Sequence, residues 1–68
     1  MNEEVFDMEI RRFLKKVGIN AHTEIRHAAE QAAGVGKLDG VGSVKAAVKL
    51  EVPELGLDLT IDGELKLG

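Results

Sequence analysis

The two histidines, His22 and His27, are the side chains best suited to acid–base or metal chemistry in this sequence. On a helix they would point about 140° apart, because each residue advances the helix by about 100°. They therefore cannot share one metal ion, and the chain has no cysteine to complete a zinc site. We predict no metal, no cofactor and no catalytic residue, so we do not expect an enzyme.

A Gly-Val-Gly-Lys run at residues 34–37 could suggest a phosphate-binding loop. Such a loop needs a strand before it, a helix after it and a longer glycine pattern, and all three are lacking here. Because residues 34–43 contain four glycines, we interpret them as a flexible glycine-rich loop. Val35, Leu38 and Val41 could attach this loop to the core.

A third candidate is a basic cluster around Met8 on the outer face of the first predicted helix. Its members, Arg11, Arg12 and Lys15, could bind an acidic partner. An ordinary solvated face that complements the helix dipole would look the same, and we favour that interpretation. Lysines on the first predicted strand are also placed to contact a partner. The candidate partner-binding residues are therefore Met8, Arg11, Arg12, Lys15, Lys45 and Lys49.

Strict alternation of apolar and polar residues predicts two strands, at about residues 44–52 and 57–67. Each has one apolar and one polar face, because successive side chains of a strand point to opposite sides. Between them, Pro53–Gly56 suits a four-residue turn with its glycine in the left-handed conformation. The predicted cross-strand pairs are Val52–Leu57, Leu50–Leu59, Val48–Ile61, Ala46–Gly63 and Val44–Leu65.

The first half of the chain predicts two amphipathic helices, at about residues 3–17 and 21–33. Gly18 is placed to end the first helix. Asn20, or alternatively Thr23, would cap the start of the second. The apolar stripes, each within about 100°, consist of Phe6, Ile10, Phe13, Leu14 and Val17, and of Ala21, Ile25, Ala28, Ala29 and Ala32.

Together these elements predict an α+β fold in the order ααββ, with residues 1–68 forming a single domain. Two antiparallel helices are expected to pack on one face of a two-stranded antiparallel β-hairpin. Two strands cannot bury an apolar face by themselves, so the helices must cover it.

The charge balance argues against nucleic acid and membranes as partners. The net charge is −3, and neither half of the chain is basic. Phe6 and Phe13 are the only aromatic residues that could stack on bases. No apolar run approaches the roughly 20 residues needed to cross a bilayer. The acidic start and the lack of cysteine lead us to expect a cytoplasmic protein.

Two functions follow as expectations. The leading one is a non-catalytic protein-interaction module. Its partner would add a strand to a free edge of the sheet, and would be either a second copy, in a weak homodimer, or another protein. The alternative is a helix-turn-helix-like nucleic-acid binder, since Leu14, Gly18 and Ile19 match that spacing. Two features argue against this motif. The next apolar residue of the motif, Ile25, lies one position too far along the chain, and Arg26 is the only arginine or lysine of the second predicted helix.

Several segments resemble a family of small uncharacterised bacterial proteins. These segments are Met1–Phe6, Ile10–Ile19, Gly36–Leu38, Leu55–Leu57 and Asp62–Leu65. The resemblance extends over nearly the whole chain and is to a domain of unknown function with no assigned activity. It implies a bacterial, cytosolic setting and transfers no functional residue.

Overall fold

One long helix and one hairpin make up the chain, which a computed structural model describes over residues 1–68. Helix α1 spans Glu3–Gly34, strand β1 spans Ser43–Val52, and strand β2 spans Leu57–Lys66. A short 3-10 turn, Pro53–Leu55, joins the strands, which form a two-stranded antiparallel sheet. The fold is therefore α+β, as predicted.

The prediction of two antiparallel helices is wrong, because α1 continues through the expected break. Gly18 lies inside the helix and does not have a positive φ, so it is not a left-handed cap. Asn20 does not cap a second helix. The Thr23 hydroxyl donates to the carbonyl of Ile19 at 3.2 Å, a bond typical of the interior of a helix.

The apolar stripe of α1 explains why the helix does not break. Val17 and Ala21 are four residues apart, so the two predicted stripes join in phase across Gly18. A single glycine inside a helix costs only about 1 kcal/mol relative to alanine. Breaking the helix at Gly18 would lose the backbone hydrogen bonds and side-chain contacts of a whole turn. That loss costs more free energy than one glycine does, so the continuous helix is favoured.

The ends of α1 are defined by local hydrogen bonds. The side chain of Asn2 accepts a hydrogen bond from the backbone N–H of Val5 at 3.1 Å, which caps the N-terminus. At the other end, the N–H of Lys37 donates to the carbonyl of Ala32 at 3.0 Å. The following glycine-rich loop leads to β1, and the N–H of Leu67 donates to the carbonyl of Gly42 at 2.9 Å.

The predicted register of the hairpin is confirmed. Val52 lies opposite Leu57, and all the other predicted apolar pairs are present, including Ala46 opposite Gly63. Gly56 has a φ of 67°, in the left-handed region, and its N–H donates to the carbonyl of Pro53. Proline and glycine thus close the turn as their backbone preferences require.

No residue of the chain is buried. Helix α1 borders the apolar face of the hairpin at both ends of the molecule, which measures 51 × 20 × 18 Å. Helix α1 does not pack closely on the strands, since almost none of their Cα atoms lie within 8 Å of each other, and the space between them stays open. The apolar faces are therefore oriented toward each other without enclosing a core.

Candidate interaction surface

The first part of the candidate surface is an apolar cleft at the tip of the hairpin, which we call the tip cleft. The N-terminal half of α1 forms one wall, and the strand ends with the turn form the other. Its apolar lining residues are Phe6, Ile10, Phe13, Leu14, Leu50, Val52, Pro53, Leu55 and Leu57. The carboxylates of Glu9 and Glu51 are the only charged groups on its walls.

The second part, the base cleft, lies at the open end of the hairpin beside the C-terminal half of α1. Its apolar lining residues are Ile25, Ala29, Ala33, Leu38, Val41, Val44, Leu65 and Leu67. Two of the three loop residues expected to attach the loop, Leu38 and Val41, line this cleft, whereas Val35 does not and is 71% exposed. The cross-strand pair Val48–Ile61 lies on the same face of the hairpin, between the two clefts. We call the two clefts and this pair the apolar seam.

Side chains of the apolar seam remain open to solvent. Phe13 is 53% exposed and Ile61 is 55% exposed, although both belong to the apolar faces predicted to form a core. Leu55, in the turn, is 65% exposed. Apolar side chains this exposed, arranged along one junction, are typical of a surface that binds another macromolecule.

Four polar side chains lie on the wall of the base cleft. They are His22, Arg26, Glu30 and Lys66, and all four are exposed. Arg26 and Glu30 pair with each other at 3.5 Å, which neutralises both charges in solvent. No other hydrogen bond or ion pair links these four side chains.

The histidines lie apart, as their spacing predicts. His22 borders the base cleft, whereas the ring of His27 is 3.2 Å from the side-chain amide of Gln31. No group of three or more histidine, aspartate or glutamate side chains comes together to hold a metal ion.

The six residues predicted to bind a partner fall into two separate groups. Met8, Arg11, Arg12 and Lys15 are exposed on α1 and line neither cleft. Arg12 pairs with Glu9 at 3.4 Å. The lysines of β1 belong to the other group. Lys45 lies opposite Glu64 and Lys49 opposite Thr60, on the polar hairpin face turned away from α1.

Sequence reasoning identified the apolar faces but not that they stay exposed in the apolar seam. The exposure of the apolar faces depends on how many helices pack over the hairpin, and the structure has one helix where two were predicted. The signal for a single helix was present in the sequence, because Val17 and Ala21 keep the stripe in phase through Gly18.

A family model matches the whole chain. The match covers residues 1–68, and the family is described as a family of unknown function, DUF6494. The chain belongs to this family. The resemblance to a domain of unknown function is thereby confirmed. No curated protein and no solved structure matches the chain significantly.

Helix α1 has the length to cross a bilayer but not the apolar character, and no other helix approaches that length.

Proposed function

We propose that this chain is a non-catalytic protein-interaction module, and that the apolar seam is its binding surface. The observation that carries the proposal is the complete lack of buried residues in a chain with two well-formed apolar faces. A folded chain gains most of its stability by removing apolar area from water, at about 25 cal/mol per Å². Because the apolar faces of this chain are still exposed, a partner that covered them would gain much of this free energy on binding.

The chemistry of the apolar seam resembles the anatomy of protein interfaces. Such interfaces have an apolar centre and a polar rim. In the tip cleft, Phe13 and Leu14 lie beside the strand ends, and the carboxylates of Glu9 and Glu51 provide polar groups. The exposed aromatic ring of Phe13 is a type of side chain that is enriched at the centre of protein interfaces.

The alternative function, a helix-turn-helix-like nucleic-acid binder, is not favoured by any observation. That motif needs two helices joined by a turn, and α1 passes through Gly18 without one. The bacterial origin and cytoplasmic location remain part of the proposal. They rest on the family resemblance and on a composition without cysteine, which needs no oxidising compartment.

Photocrosslinking in the cells that make the protein tests this proposal. A photoreactive phenylalanine derivative would replace Phe13, on the wall of the tip cleft, or Met8, which lies on α1 outside both clefts. Because Phe13 is 53% and Met8 56% exposed, the two positions are equally accessible in a single chain. We expect crosslinks to protein from position 13 and few from position 8.

Mass spectrometry would identify the crosslinked partner. Equal labelling from both positions would point to random collisions, and no labelling from position 13 would reject the apolar seam as an interface. A crosslink to this same chain and a crosslink to a different protein both support an interaction module, so the assay also reports the kind of partner.

A further inference from the structure

We infer that the partner of the apolar seam is a second copy of this chain, in a stable homodimer with seam facing seam. This inference rests on the proposed function and specifies it. It differs from pairing through a sheet edge, because it uses the apolar faces of α1 and the hairpin in place of unpaired backbone groups.

The exposed area of the chain supports this inference. The accessible surface is 6150 Å², whereas a folded monomer of this mass is expected to expose about 4,200 Å². The chain thus exposes about 2,000 Å² more than a self-contained protein of its size. A dimer that buried this excess on both copies would bury about 4,000 Å² in total, which is in the range of obligate homodimers.

The shape of the chain leads to the same conclusion. The radius of gyration is 16.0 Å, whereas a compact domain of this length should have about 11 Å. A chain 51 Å long and only 18–20 Å thick has two layers and no interior. Adding two more layers, from a second copy, would enclose the apolar faces between polar outer surfaces.

The charges of the chain favour a copy of itself over an oppositely charged partner. On the two strands, the charged side chains project from the polar face, and only Glu51 and Lys66 also reach the walls of the clefts. At the centre of the hairpin's apolar face, around Val48 and Ile61, a second copy therefore meets no like charge. A charged partner protein would gain little at this centre, because no complementary charge is available there.

Two-fold symmetry completes the argument. In a symmetric dimer the same patch is used on both copies, so each patch must complement itself. An apolar surface contributed by α1 and by the hairpin satisfies this condition, because apolar packing has no donor or acceptor direction. We therefore place Phe13 inside the interface and Met8 outside it.

Sedimentation equilibrium of the purified chain at micromolar concentration tests the inference. We expect the wild type to have about twice the mass of the 7.3 kDa chain. Phe13→Glu should weaken the dimer by about 30-fold or more, as for a central interface residue. Met8→Glu also replaces an apolar side chain by glutamate at an equally exposed position, and it should shift the dissociation constant by less than about threefold.

A folded wild-type monomer at these concentrations would overturn the inference, as would equal effects of the two substitutions. If Phe13→Glu does not fold, the milder substitutions Phe13→Ala and Met8→Ala are compared in its place. Phe13→Ala should again weaken the dimer more than Met8→Ala does. Failure here is distinguishable from failure of the proposed function. A monomer that crosslinks from position 13 to another protein keeps the interaction module, whereas a monomer without crosslinks rejects both.

Discussion

Glu51 and Asp58 lie directly opposite each other on the polar face of the hairpin. Like charges at opposed positions destabilise a pair of strands. Asp62 lies opposite Ala47, so it has no charged residue directly across the ladder. Asp58 and Asp62 lie on the same face of the same strand and differ chiefly in the side chain opposite them. Comparing the same substitution at both positions therefore measures the repulsion between Glu51 and Asp58.

We predict that Asp58→Thr stabilises the protein more than Asp62→Thr does. Both changes replace a poor strand former by a good one, but only the first removes the repulsion with Glu51. The difference should be about 0.5 kcal/mol in chemical denaturation at low salt, and it should shrink at high salt because both groups are exposed. Equal effects of the two substitutions at low salt would mean that the opposed charges do not interact.

At the level of elements, strand prediction succeeded where helix prediction failed, and the reason is physical. The hairpin is specified by local signals, since alternation, Pro53 and Gly56 each restrict the backbone or the register. A glycine between two amphipathic segments is a weak signal, because its cost in a helix is only about 1 kcal/mol. Comparing the phase of the stripe before and after Gly18 would have predicted one helix.

We predict that Gly18→Ala stabilises α1 by about 1 kcal/mol, the difference in helix propensity. The added methyl group would meet no atom within 4 Å. Thermal melts followed by the helical circular dichroism signal would measure the change. Gly56→Ala is the control, because φ there is 67° and alanine should cost about 1–2 kcal/mol. Destabilisation by Gly18→Ala of similar size would indicate a left-handed cap at this position and two helices.

At the level of the whole molecule, burial could not be predicted from the sequence. The stripe that includes Phe13 and the face that includes Ile61 were recognised as apolar, and both are more than half exposed. Burial depends on the number and arrangement of covering layers, which is a property of the assembled elements and not of any local pattern. With one helix in place of two, half of the expected cover is missing.

We predict that the melting temperature rises with protein concentration. Folding and dimerisation are coupled if a single chain has no core, so dilution favours the unfolded state by mass action. A hundredfold increase in concentration should add about 2.7 kcal/mol of apparent stability. Calorimetry over this range would show the shift. A melting temperature independent of concentration would mean that one chain is stable alone.

A chain without any buried residue also has consequences for its abundance in the cell. Until a new copy meets another, proteases can reach it, because unprotected chains are degraded faster than folded ones. The rate of meeting depends on the square of the concentration, so halving synthesis should lower the protected pool by more than half. Pulse-chase labelling at graded expression levels should therefore show longer half-lives at higher expression, a threshold response produced by the open shape of the single chain.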